Sequence, residues 1–280
     1  MDKIAVITDS SCDLPDEILQ KYDIKILPLR IIYENREFRD RIEITAEEVY
    51  ANLDKEIPKT SLPLPADAMR LFKQLSEEGY THVVAVLMSS GLSGTYNMVK
   101  NVADTFDALK IEVVDSKSLS VGLGFIVLET ANEALISNDF SKVLKKANEA
   151  VEKTDVFYVI NTLDYLRKGG RIGLVEGAVG EILGIKPIIS IDDQGKYYAH
   201  SKVRGRKKSI KKLYDIVKEK IKDKNYSVAV LHGDAEEEAK NLINPFKEIA
   251  AVDETLFGQI SPVLGVHTGP GLIGICITEI

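Results

Sequence analysis

Strands and helices alternate through the first half of this 280-residue sequence, and hairpin-type strands follow in the second. The two patterns predict an α/β protein of two domains: an N-terminal doubly wound, mostly parallel sheet, then a C-terminal mixed or antiparallel sheet with helices. Length agrees, because a chain of 280 residues suits two ordinary cores better than one large one. A polar helix over residues 140–153 reads as the bridge and places the domains at 1–153 and 154–280.

Each element carries its own signal. Residues 4–8 form a short buried-type strand, and Pro15 falls in the first turn of the next helix, where its missing N–H costs nothing. Residues 24–33, rich in Ile and Leu, read as the second strand. Thr45 and Glu48 have capping-box spacing, so a helix starts there. Strands are expected at 82–88 and 111–114, and helices at 94–106 and 120–136. Beyond the bridge come a strand at 156–160, a short helix at 162–167 and a turn at Lys168-Gly169-Gly170-Arg171. Asp192-Asp193-Gln194-Gly195 is a hairpin turn between strands 188–191 and 197–203. Helices at 207–222 and 236–248 and strands at 227–232 and 272–278 complete the chain.

Bulk properties exclude several classes. Apolar residues at 45% and charged residues at 28% are ordinary for a soluble domain. A net charge of −7 argues against whole-surface affinity for nucleic acid or anionic membrane. The basic run from Arg204 to Lys212 then reads as a solvated helix face. No stretch reaches the roughly 20 apolar residues of a spanning helix; the longest, 121–136, contains Glu129, Asn132 and Glu133. Met1-Asp2-Lys3-Ile4 has no signal-peptide layout, and Cys12 and Cys276 stand at opposite ends, outside any metal spacing. The expectation is a reduced, cytoplasmic protein with no integral membrane segment, no metal and no nucleic-acid partner.

The informative chemistry lies in four hydroxyl- and glycine-rich loops at strand ends, where open α/β sheets bind ligands. Asp9-Ser10-Ser11-Cys12-Asp13 reads first as capping. Thr60-Ser61, just before a helix, either caps it or donates to an anion. Ser89-Ser90-Gly91-Leu92-Ser93-Gly94 precedes another helix and resembles a phosphate cradle without the Walker lysine. His267 sits in Gly265-Val266-His267-Thr268-Gly269-Pro270-Gly271, an unusual setting for a core histidine. Together these loops suit a carboxylate or phosphate, since a buried anion needs several donors. What is attached to the anion stays open at this level.

Asp9-Ser10-Ser11-Cys12-Asp13-Leu14-Pro15, Lys59-Thr60-Ser61, Ser89 through Tyr96, Arg167 through Ile172, and Ser261-Pro262 with His267-Thr268-Gly269-Pro270-Gly271 occur in this order along nearly the whole chain. They resemble the DegV family, with one departure: Leu62 stands where that family often has glutamine. The resemblance implies a long-chain fatty acid such as palmitate, stearate or oleate held between the domains as ligand, with no cofactor. It implies carboxylate contacts from Thr60 or Ser61, Ser90 or Ser93, and His267. It also implies a role as the acyl-binding, non-catalytic subunit of a fatty-acid kinase, whose partner supplies ATP and makes the acyl phosphate. Arg171 and Arg204, each near flexible glycine, are expected to dock that partner. The competing reading is an independent acyl hydrolase with Ser90 or Ser93 as nucleophile and His267 as base, although no acidic partner for His267 is evident.

Overall fold

The computed structural model describes residues 2–179, 184–249 and 251–280. β1 (Ile4–Asp9) passes through a 3-10 turn at Ser10–Cys12 to α1 (Asp16–Lys21) and β2 (Lys25–Leu27). Pro28, which has no N–H to give a ladder, ends that strand. β3 (Arg30–Tyr33) leaves the first sheet and pairs with β4 (Arg36–Arg39) and β5 (Lys59–Ser61) in a separate three-stranded sheet. The single strand expected at 24–33 is therefore two strands in two sheets. α2 (Ala46–Asn52) opens on the Thr45–Glu48 capping box with both reciprocal bonds made.

α3 (Pro65–Glu77), β6 (His82–Leu87), α4 (Thr95–Ala103), β7 (Lys110–Asp115), α5 (Ser120–Ser137) and α6 (Phe140–Lys153) complete the first half. Its main sheet runs β2-β1-β6-β7, all parallel. Alternate residues face opposite sides: Ala5 and Ile7 meet α3 and α4 through Phe72, Leu75 and Val99, whereas Val6 meets α5 and α6 through Phe125, Ile126 and Val143. Among the described residues one helix, α5, is long and apolar enough to cross a membrane; more than half of it is buried inside the protein.

β8 (Thr154–Val159) starts a different sheet. α7 (Asp164–Lys168), α8 (Gly173–Val179), β9 (Ile188–Ile191), β10 (Tyr197–Ser201), α9 (Arg206–Lys220) and β11 (Tyr226–Gly233) follow. α10 (Glu236–Lys247), β12 (Val252–Gln259), α11 (Pro262–Thr268) and β13 (Leu272–Glu279) end the chain. The order is β10-β9-β8-β13-β11-β12, antiparallel except for β11 with β12. α9 and α10 cover one face through Leu213, Val217, Leu242 and Phe246. The other face, with Val156, Tyr158, Leu231 and Cys276, joins the apolar cluster of the first half, so one core runs through the seam.

Candidate functional site

β1 and β6 are adjacent, and the chain leaves them toward opposite edges of the sheet, the topological switch point at which open α/β sheets form a crevice. The first loop there serves the fold. Asp9 accepts from the Met88 N–H at 2.8 Å and the Ser11 N–H at 3.0 Å, and Ser10 Oγ accepts from the Leu29 N–H at 3.0 Å. Asp13 reaches across the seam and accepts from the Ser261 N–H at 2.8 Å and from Ser120 Oγ at 2.6 Å. Asp40 accepts from the Val263 N–H at 2.9 Å. Two carboxylates of the first half thus hold the N-terminal end of α11, satisfying donors that its backbone cannot.

His267 stands in the last turn of α11, not in the open loop that its glycine neighbours suggested. Pro262 at the helix start and Gly269 after its end are the terminal signals that could have revealed this helix. His267 Nε2 lies 2.7 Å from Thr60 Oγ1 on β5, and Nδ1 is buried without a partner. A side chain at Gly169 would run into this ring, and one at Gly269, whose φ is 65°, would run into the Tyr165 ring. Only glycine lets α7 and α11 interlock so closely. Burial, and secondarily the nearby Arg171 charge, push His267 down to about 4, so the imidazole is neutral at pH 7 and offers a single N–H.

A cavity of about 140 Å³ opens beside this pair. Thr60, Ser61, Ser93, Arg171 and His267 line its polar part; Leu29, Met88, Val263 and Leu264 line the rest. Ser93 Oγ lies 2.9 Å from Thr95 Oγ1. A second cavity of about 30 Å³ continues inward, sharing Tyr197, Leu264 and Thr268 with the first. Its other walls include Leu119, Val156, Leu272 and Cys276, and the buried Tyr158 hydroxyl at its side has no partner.

Three expectations change. Ser90 does not line the cavity: its hydroxyl donates to Asp115 at 2.5 Å and its N–H to the same carboxylate at 3.0 Å. Ser89 is the buried member of the pair and donates across the seam to the Gly195 carbonyl at 2.7 Å. Arg171, expected to dock the partner, forms part of the cavity wall, with Nη1 donating to the Gly169 carbonyl at 2.7 Å. Arg204 stays apart, in an isolated bridge with Ile185. The hydrolase geometry is not assembled either, because His267 faces Thr60 and no carboxylate meets its Nδ1 among the described residues. Sequence reasoning missed Asp40 as an anchor and Tyr197 as one of three residues shared by the two cavities. No local motif marks either position.

Fold and site together define an α/β protein with a polar-headed, apolar-bodied cavity at the seam between its parallel-sheet first half and its six-stranded second half. The family model described as DegV, uncharacterised proteins, matches residues 3–279. A DegV domain-containing protein of Clostridium acetobutylicum is 45% identical over 280 residues, covering all of both chains. Among solved structures, a fatty acid binding DegV family protein from Streptococcus agalactiae superposes with a TM-score of 0.92 at 32% identity over all of both chains. A stearic acid-binding protein from Eubacterium ventriosum gives 0.88 at 30% identity, covering 100% of this chain and 98% of its own. The chain belongs to the DegV family.

Proposed function

We propose that this protein binds one long-chain fatty acid, in the class of palmitate, stearate and oleate, and presents its carboxylate to a partner fatty-acid kinase. The observation that carries the reading is the Thr60–His267 pair at the head of a cavity that turns apolar as it deepens. Hydroxyls of Thr60, Ser61 and Ser93 and the neutral imidazole N–H supply donors to a carboxylate, and Arg171 adds positive potential at the mouth. The fatty-acid-binding relatives support the same ligand class.

Burying a chain of ~14 methylenes at roughly 0.8 kcal/mol each gives on the order of 11 kcal/mol before the costs of association. A ligand held so strongly survives purification. Native mass spectrometry should find one fatty acid per chain. Protein that carries none and takes up none when it is added removes the reading. In the kinase step the carboxylate oxygen attacks the γ-phosphorus of ATP, ADP leaves, and an acyl phosphate forms. All of the phosphoryl chemistry belongs to the partner; this chain positions the nucleophile. Arg204, outside the cavity, is the proposed docking contact. Arg204→Glu should leave lipid content unchanged while lowering the rate of acyl phosphate formation at low salt. Equal rates for the variant and the parent remove that contact.

A further inference from the structure

Tyr158 stands on β8 opposite Gly274 of β13, and only 4% of it is exposed. Gly274 has no side chain to fill the space beside it, and both residues line the inner cavity. Burial first, and then the neighbouring Tyr197, raise the Tyr158 phenol well above its ordinary level, so it holds its proton and can donate. Apolar packing and an edge-to-face contact with Tyr197, ring centres 5.5 Å apart, anchor the ring. A phenylalanine would make the same contacts, so they do not account for the hydroxyl. That hydroxyl has no partner, although buried tyrosine hydroxyls usually find one and an unmet donor costs free energy. Two other hydroxyls of the wall are committed as donors: Ser120 to Asp13 at 2.6 Å and Thr268 to the Leu264 carbonyl at 3.0 Å. Each of those oxygens keeps a lone pair that can accept. The wall thus presents a free donor and spare acceptors, the complement of an alcohol.

We propose that Tyr158 hydrogen-bonds a hydroxyl group carried on the acyl chain, so that the site is built for a hydroxy fatty acid. The inference rests on the fatty-acid reading and specifies the ligand. The ligand oxygen accepts from Tyr158 and donates its own proton to Thr268 or Ser120. Tyr197, Leu264 and Thr268 belong to both the head cavity and the inner one, and Thr268 follows His267 directly. The hydroxyl therefore belongs on the half of the chain nearer the carboxylate. An unsubstituted acid of equal length leaves the phenol unpaired. A hydroxyl placed elsewhere along an apolar wall leaves the ligand's own oxygen unpaired. Recognition of this kind reads the position of the hydroxyl as well as its presence.

Competition on the unsubstituted protein, stripped of lipid, needs no variant. Each of a series of hydroxypalmitates, with the hydroxyl moved from the carboxylate side to the ω end, is mixed with an equal amount of palmitate. Native mass spectrometry then reads which acid is retained. One isomer with its hydroxyl on the carboxylate-side half should be retained over palmitate by roughly tenfold, the worth of one hydrogen bond to a buried donor, and the ω isomer should not. Tyr158→Phe, which keeps the ring, should weaken that isomer by about tenfold while palmitate changes by less than about threefold. Palmitate retained over every isomer overturns the proposal. So does a preference that survives in Tyr158→Phe, or a variant that weakens palmitate and the isomer alike. Failure of the unsubstituted protein to bind any of these acids would instead overturn the fatty-acid reading beneath it.

Discussion

The two ends of α11 meet the first half of the molecule in opposite ways. At the N-terminal end, Asp13 and Asp40 accept the Ser261 and Val263 N–H groups, so the chain supplies its own acceptors to the positive end of the helix. At the other end His267 has a hydroxyl at one ring nitrogen and nothing at the other, in a buried setting. Unpaired buried polar atoms occur at both ends, Asp40 Oδ2 and Ser261 Oγ at the first and His267 Nδ1 at the second, but among these three residues only His267 lines the cavity. The same helix is a structural clasp at one end and lines the cavity at the other.

The sharpest way to break this contrast is Asp13→Ala, which strands the Ser261 N–H and the Ser120 hydroxyl in the core. It should cost about 3–5 kcal/mol in urea unfolding; a loss below about 1 kcal/mol would mean that the clasp is dispensable.

Next comes pH. Burial pushes the Asp40 carboxyl up to about 7 from 3.8, so the native state holds this proton more tightly than the unfolded chain does. Its contribution to stability is full below about 3.8 and is lost as pH rises through about 7. Asp40→Asn keeps an acceptor for Val263 and is always neutral. It should be more stable than the parent by on the order of 2–4 kcal/mol at pH 8, with no difference near pH 4. His267 has the opposite sign: its level falls to about 4 from 6.5, so its contribution is present above 6.5 and is lost as pH falls toward 4. Acidification therefore strengthens one end of α11 and weakens the other. Thermal melts of Asp40→Asn that track the parent at every pH would remove the distinction.

The smallest effect on the fold belongs to the cavity end. His267→Ala should weaken fatty-acid binding by about 10- to 150-fold, roughly 1.5–3 kcal/mol for a donor to a buried charge, and shift unfolding by under about 1 kcal/mol. Binding by titration calorimetry that matches the parent would move the carboxylate elsewhere.

Much of this architecture is readable along the chain, because most elements are fixed locally. The Thr45–Glu48 box starts α2 as its spacing requires, and the alternation of Ala5, Val6 and Ile7 sorts two helical layers. Where pairing is decided at long range, the reading fails. Pro28 divides one apolar run between two sheets, and Thr60 gains its strand only from β3. β12 was not expected at all: Asp253, Glu254 and Gly258 dilute its apolar signal, and its pairing with β11 supplies the order. At the site, the resemblance implied Thr60 or Ser61, Ser90 or Ser93, and His267, and of these Thr60, Ser61, Ser93 and His267 line the cavity. The choice between Ser90 and Ser93 was open in the sequence, since it depends on which hydroxyl faces Asp115 and which faces the cavity. Arg171 was displaced for the same reason: a turn's sequence does not say which way its side chain falls.

β13 lies between β8 and β11, in the interior of the six-stranded sheet, although the ribosome makes it after every strand it joins. At a synthesis rate of about 5–20 residues per second, the parallel sheet can close while the second sheet still has a gap at its middle. His267, eight positions short of Ile275 at the centre of that strand, emerges just ahead of it. The nascent chain can thus hold Thr60 in the first half of the molecule with no imidazole opposite. The Thr60–His267 pairing becomes a late event that reports completion of the second sheet.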